Sequence, residues 1–309
     1  MEAAARRLAG VAVRTPLLPA DVISEIAGAN VRLKCESLQR AGSFKIRGAY
    51  NFVSQLSDEQ VASGIITYSS GNHAQAVALS GKLRGVRAVV VMPTTAPKVK
   101  RDGAERLGAE VIYEGTTSLE RRAKAEEIAE EQGLVIVPPF DHRHIIAGQG
   151  TVGLEIAREW PDVDLVLAPI GGGGLASGVA AAIKRLLPAA RVIGVEPVGA
   201  ASMRKALDEE RPVVIRKIDT IADGLAPVIA GELTYEHAFS LMDDVVTVSD
   251  DAIREATSLL VSQQKLIVEF SGAAATAALL SKAVEAEDAR VAVVISGGNL
   301  DPTLLAGMA

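Results

Sequence analysis

Short apolar runs alternate with amphipathic stretches from near one end of the chain to the other. Strand-like runs cover 64–67, 88–92, 110–112, 165–168, 192–196 and 291–295, and helix-like stretches cover 74–83, 98–107, 118–131, 175–187, 251–264 and 272–280. Brief apolar runs bounded by turn residues read as buried strands, whereas apolar positions recurring three and four apart read as amphipathic helices. Repeated β-then-α order predicts parallel strands joined by right-handed crossovers, with helices on both faces. The fold class is therefore α/β, with mostly parallel sheets. Ligands of such sheets gather beyond the C-terminal ends of strands, where short loops lead into helices. Three glycine-rich segments lie there: Ser69-Ser70-Gly71-Asn72, Gly171-Gly172-Gly173-Gly174 and Ser296-Gly297-Gly298. One site can collect all three. The turn-rich Val137-Pro138-Pro139-Phe140-Asp141-His142 is the candidate crossing between two lobes.

Composition narrows the class. With 309 residues, 49% hydrophobic and 23% charged, the chain has ordinary globular values and length for about two domains. Its net charge of -6 is of mixed sign throughout, and the basic run Lys98-Val99-Lys100-Arg101 reads as a solvated helix face. Nucleic acid is thus not an expected partner. Cys35, the only cysteine, sits in an alternating strand pattern and reads as a small buried residue in a reducing compartment. No secretory signal is visible at the N-terminus, and no apolar span reaches the ~18 residues a membrane crossing needs. The cytoplasm is the expected location, with no membrane partner.

The candidate chemistry centres on Lys45, in Ser43-Phe44-Lys45-Ile46-Arg47-Gly48. An ammonium flanked by phenylalanine and small residues loses solvation, which lowers its pKa and frees the amine for a Schiff base with an aldehyde. A lysine of this kind together with an anion cradle points to pyridoxal phosphate. Backbone amides at Gly171, Gly172, Gly173 and Gly174 can approach a phosphate closely, and the following helix presents its positive end. The same segment satisfies G-x-G-x-x-A through Gly171, Gly173 and Ala176, with Glu196 near the place of a ribose-binding acid. On this segment alone a dinucleotide and a simple phosphate both remain open. The other motifs favour the simple phosphate, because a nicotinamide site gives no reason for the Lys45 segment or for Ser69-Ser70-Gly71-Asn72-His73. Asn72 can donate to a ring oxygen, and the amides and hydroxyls of Ser69 to His73 suit a substrate carboxylate. The competing reading of that loop is a helix start capped by Ser70 or Asn72. His73, His142, His144 and His237 have no metal-ligand spacing, and no G-x-S-x-G elbow occurs.

These motifs, with Arg14-Thr15-Pro16-Leu17, Pro138-Pro139-Phe140-Asp141, Ala147-Gly148-Gln149-Gly150-Thr151, Gly194-Val195-Glu196-Pro197, Ala222-Asp223-Gly224 and Ser296-Gly297-Gly298-Asn299, occur in family order. The chain resembles the serine/threonine dehydratase and serine racemase family of fold-type II, tryptophan synthase β-like, pyridoxal-phosphate enzymes. The resemblance implies a homodimer of two-lobed subunits, with a large discontinuous domain over 1–63 and 142–309 and a small one over 64–141. It implies that Lys45, beside Phe44, holds pyridoxal 5'-phosphate, that Asn72 meets the ring hydroxyl, and that Ser296 faces the pyridine nitrogen. Gly171, Gly172, Gly173, Gly174 and Leu175 would hold the phosphate. Ser69, Ser70, Gly71, Asn72, His73 and Gln149 would hold the amino-acid substrate.

The implied reaction is dehydration and deamination of L-threonine or L-serine to 2-oxobutanoate or pyruvate plus ammonia, with Lys45 as tether and base. Serine racemase and threo-3-hydroxyaspartate dehydratase are the alternatives within the family. Ser70 permits racemisation, since racemase-like members carry a serine there that reprotonates the α-carbon opposite the lysine. The divalent-cation cage of those members falls on Glu196, Ala200 and Ser202, where one carboxylate is missing, so only a weak cation site is expected. The chain ends soon after Gly298, at Ala309, which the resemblance reads as the absence of a C-terminal regulatory domain.

Overall fold

The computed structural model describes residues 1–69, 71–96 and 98–307. Among these residues the chain builds two sheets. The larger has the order β1-β2-β10-β7-β8-β9, from β1 (Leu17–Pro19), β2 (Asn30–Cys35), β7 (Leu165–Pro169), β8 (Arg191–Pro197), β9 (Asp244–Val248) and β10 (Arg290–Ile295). The smaller has the order β5-β4-β3-β6, from β3 (Ile65–Tyr68), β4 (Ala88–Met92), β5 (Glu110–Tyr113) and β6 (Val135–Ile136). Every pairing is parallel except β1 with β2. The fold is α/β with mostly parallel sheets.

Strands covered on both faces read as unbroken apolar runs, and β4, β7 and β10 obey this. In β10, Val291, Val293 and Ile295 enter the core on one face, while Ala292 and Val294 enter the core on the other. The alanine-rich helix Phe270–Leu280 is buried on nearly all sides, its small side chains letting neighbours come close. In the smaller sheet Ile65 and Ile66 likewise divide between two apolar clusters. The helix Lys45–Val53 packs Ile46, Ala49, Phe52 and Val53 against Ile65, Ala76 and Val77, and so leans on the smaller sheet.

Sheet order positions the loops. Because β10 pairs with β7 in parallel, with Val291 opposite Leu165, the loops after both strands emerge at the same edge. The first holds Ser296 and Gly297, the second Gly171. On the other side of β10, β2 runs parallel to it and ends at Cys35, from which the chain returns to Ser43, bridged to Gly297.

The basic run at 98–101 corrects its sequence reading. Lys98 is exposed, but the side chain of Lys100 is only 4% exposed and is paired with carboxylates. Amphipathic spacing of charges does not reveal which cation another element will cover. Among the described residues no helix is long and apolar enough to cross a membrane.

Candidate active site

Lys45 opens the helix Lys45–Val53. The N–H of Phe44 donates to the Ser296 carbonyl at 3.2 Å, fixing the lysine beside the β10 loop. Lys45 Nζ lies 5.2 Å from the centre of the Phe44 ring and donates to the Pro139 carbonyl at 2.9 Å. Apolar crowding pushes its pKa down to about 8, and the charge of Glu269 opposes that fall. The amine is thus close to its neutral, nucleophilic form near neutral pH.

Pro139 leads directly to Phe140 and the candidate phosphate cradle at 171–174. Phe140 covers the glycine segment so closely that a Cβ on Gly172 would lie 2.2 Å from its ring. Gly173 has φ +93°, a left-handed conformation open to glycine, and is the N-cap of the helix Gly174–Leu186. That helix start receives no side-chain cap, which leaves the first amides of a helix turned toward any anion brought to them. Thr234 Oγ1 donates to the Gly172 carbonyl at 2.7 Å, and Asp141 accepts from the Thr234 and Glu232 amides at 3.1 Å each. Leu175 offers only its backbone, since its side chain is buried in the core. A glycine segment on a helix start without a side-chain cap, tied through Pro139 and Phe140 to a desolvated lysine, fits the chemistry of pyridoxal phosphate.

The second glycine-rich loop is built alike. Gly71 is the N-cap of the helix Asn72–Arg84 and brings no side chain to it, so the reading of Asn72 as the cap is not met. The Gly71 amide donates to Ser69 Oγ at 3.2 Å. Asn72 instead turns its side chain across the cleft: Nδ2 donates to Glu269 Oε1, and Oδ1 accepts from Asn299 Nδ2 at 2.9 Å. His73 is fully buried, bonded through Nε2 to the Val137 carbonyl at 3.2 Å, and burial pushes its pKa down to about 3. Its ring is therefore a neutral structural group, and only its amide faces the role expected of it. Ser70 lies outside the described residues.

Ser296 is buried at the end of β10. Gln149 is also buried; its Oε1 accepts from the Gly48 amide at 3.2 Å, and its Nε2 has no partner. This places a spare donor one turn along the lysine's helix. Glu196 is held by the Met203 and Arg204 amides at 2.8 and 2.7 Å, and burial raises its pKa to about 7. Its two oxygens thus cap the helix Ser202–Asp208, which explains why Glu196 does not serve the dinucleotide pattern in which the sequence also allowed it. Ser202 Oγ is buried without a partner, and Ala200 is buried. Among the described residues no cluster of three or more His, Cys, Asp or Glu side chains has the arrangement of a metal site.

Sequence reasoning overlooked Glu269, Lys100, Thr234 and Asn299 as site residues. Asn299 stood inside a quoted motif and Lys100 inside the basic run read as solvated, whereas Glu269 and Thr234 carry no local signal.

The chain belongs to the family described as pyridoxal-phosphate dependent enzymes, whose sequence model matches residues 9–297. Pyridoxal phosphate is its cofactor. Within that family it groups with threonine dehydratases and serine racemases. It is 44% identical to an L-threonine ammonia-lyase of Thermotoga maritima over 98% of this chain and 75% of that one. It is 40% identical to a serine racemase of Oryza sativa subsp. indica, over 96% and 88% of the two chains. The solved structure of maize serine racemase superposes with a TM-score of 0.95 at 38% identity, covering 99% of this chain and 94% of that one.

Proposed function

We propose that this enzyme removes water from L-threonine and L-serine, and that the enamine formed then takes up water to give 2-oxobutanoate or pyruvate and ammonia. The observation that carries this reading is the pair of helix starts at Gly174 and Asn72, each with a glycine at its N-cap, together with one lysine whose amine has been pushed down to about 8. One start suits a phosphate and the other a carboxylate. An α-amino acid and a phosphorylated aldehyde need that combination. The 44% identity to a protein named L-threonine ammonia-lyase supports the substrate class.

The bound cofactor supplies an electron-withdrawing ring that stabilises negative charge developing at the substrate α-carbon. The protein does the rest. Lys45 Nζ would hold the aldehyde and, as the neutral amine, would serve as the base for the substrate α-proton. The amides of Gly171, Gly172, Gly173, Gly174 and Leu175 hold the phosphate. Asn72 keeps one Nδ2 hydrogen for the ring hydroxyl while Glu269 and Asn299 fix its orientation. Ser296 offers the pyridine nitrogen a neutral hydroxyl, and Phe44 flanks the lysine. Ser69, Ser70, Gly71, Asn72, His73 and Gln149 receive the substrate carboxylate. The small domain over 64–141 would carry that carboxylate loop, and the large domain the phosphate cradle. We place the enzyme in the cytoplasm as a homodimer, a state that sedimentation equilibrium would check.

A second reading, serine racemase, is favoured by the serine at position 70 and by the 40% identity to the rice protein so named; threo-3-hydroxyaspartate dehydration is the third outcome. One experiment separates them. The enzyme is incubated in turn with L-serine, L-threonine and threo-3-hydroxyaspartate, and 2-oxo acid, ammonia and D-isomer are all measured, with Lys45→Ala as the control. Ammonia from threonine or serine exceeding D-isomer supports the proposal, whereas D-serine formed without matching ammonia, or turnover surviving in Lys45→Ala, sinks it.

A further inference from the structure

Lys100 belongs to the helix Lys98–Arg106, between β4 and β5 of the smaller sheet, yet its charge is spent on the opposite side of the cleft. Nζ is 2.6 Å from Asp223 Oδ2, in the short turn Asp223–Leu225, and 3.1 Å from Glu269 Oε2, at the start of the helix Phe270–Leu280. Removing an ammonium from water costs several kcal/mol unless opposite charge meets it. The helix therefore holds this position because those two carboxylates are there. The dependence is mutual: Glu269 is itself only 4% exposed, its Oε2 has no aligned hydrogen-bond donor, and Lys100 is its ion-pair partner, with the charge of Lys45 also acting on it.

The stem of Lys100 passes over the carboxylate loop. A Cβ on Gly71 would sit 2.2 Å from Lys100 Cδ and 3.0 Å from Cγ, so the lysine roofs the residue that starts the Asn72 helix. Beyond it, the other oxygen of Glu269 accepts from Asn72 Nδ2. A continuous path of contacts thus runs from Lys100 through Glu269 to Asn72. Asp223 is the exposed end of this cluster, at 41%, and gives water its way in when the contact opens.

We propose that Lys100 is a positioning residue: it latches the helix Lys98–Arg106 onto Asp223 and Glu269, closes the roof over Gly71, and steadies the carboxylate that orients the Asn72 amide. Opening the cleft for substrate separates one cation from two anions, and closing reunites them, so the geometry of Asn72 reports whether the roof is shut. The final step, from Asn72 to the cofactor ring, rests on the assignment of Asn72 to the ring hydroxyl made above.

The test uses the holoenzyme and the variants Lys100→Met, Lys100→Arg, Asp223→Asn and Asn72→Ala. Backbone amide exchange is followed by mass spectrometry, and the visible absorption band of the bound cofactor is recorded. In Lys100→Met, amides of the helix Lys98–Arg106 and of 71–75 exchange about tenfold faster while those of β7 and β10 keep their rates. Asp223→Asn, whose exposed side chain puts folding at little risk, shows the same pattern more weakly, and Lys100→Arg retains most of the protection. The cofactor band shifts in Lys100→Met and in Asn72→Ala. Unchanged exchange in both Lys100→Met and Asp223→Asn overturns the latch. Faster exchange with a band that moves in Asn72→Ala but not in Lys100→Met overturns the coupling to Asn72. A band unmoved in Asn72→Ala overturns the ring-hydroxyl assignment instead, with the latch judged by exchange alone.

Discussion

Lys45 Nζ donates to the carbonyl of Pro139 at 2.9 Å, and the next residue, Phe140, lies against Gly172 and Gly174. The amine of Lys45 and the glycine segment proposed to hold the phosphate are therefore both placed against one short segment. Displacing that segment, for instance by a substitution at Phe140, would disturb both at once.

Capture of pyridoxal phosphate by the cofactor-free protein should follow the titration of Lys45. Burial places its pKa at about 8, so below that pH the protonated amine is no nucleophile and above it the free amine is. The capture rate, read by stopped-flow absorbance, is expected to rise up to about pH 8 and then level off. A rise continuing to the ordinary lysine range, about 10.4, would mean that the amine is solvated and the pocket open.

Thr234→Val tests the support beneath the cradle. It removes the 2.7 Å bond to the Gly172 carbonyl while keeping side-chain shape. Loss of one such bond is worth about 1 kcal/mol, so the apparent Kd for pyridoxal phosphate should rise about fivefold. Equilibrium dialysis would show it. Gly172→Ala, which drives a methyl into the Phe140 ring, is expected to be far more damaging.

Arg47→Met probes the ion cluster under the lysine's helix. Arg47, 1% exposed, contacts Glu36 at 2.8 Å, Glu155 at 2.6 Å and Thr151 at 3.0 Å. Removing the cation takes from buried Glu36 its ion-pair partner, leaving the Thr15 hydroxyl and the more distant charge of Lys34, at a cost of about 3 kcal/mol. Urea denaturation should show a lower midpoint with an unchanged slope.

How much of this was legible in sequence depends on where each signal lies. Strands such as β4 and β10, buried on both faces, announce themselves as apolar runs, and their limits agree with the sequence reading to within one or two residues. β1, three residues long, and β9, which starts with Asp244 at a sheet edge, lack that signature. The same split governs the site. Asn72 and the glycine segments are local patterns between a strand end and a helix, and Lys45 is a local pattern at a helix start. Glu269 is a lone acid in an apolar stretch, and its meaning arises from a contact 197 residues away in sequence. Lys100 was misread because spacing shows that a helix has a charged face, not what will be packed on it.

Metal removal should leave this enzyme active. Glu196 spends both oxygens on the amides of Met203 and Arg204, and a hard cation would need several further oxygen ligands beside it. Dialysis against a chelator is expected to change kcat by less than about twofold. A larger loss, restored by magnesium or calcium, would show that Glu196 exchanges its amides for a cation.

Glu196 also gives a pH dependence whose sign is fixed by its burial. Its pKa in the folded protein is about 7, above the ordinary glutamate value near 4.3, so the folded chain binds this proton more tightly than the unfolded one. The stability it lends is complete below about pH 4.3 and is lost as pH rises through 7, a change on the order of 3 kcal/mol. His73 acts in the opposite sense: its pKa, depressed to about 3, makes stability present above about 6.5 and lost as pH falls. The two nearly oppose each other between pH 4.5 and 7, so the stability of the wild-type protein alone is uninformative in that range. The difference between wild type and Glu196→Gln isolates the carboxyl, because His73 contributes equally to both. That difference, from urea denaturation at several pH values, should grow in favour of the glutamine variant as pH rises from 4.5 to 7.5; a flat difference would mean that the carboxyl is ionised throughout and that its two amide donors outweigh its burial.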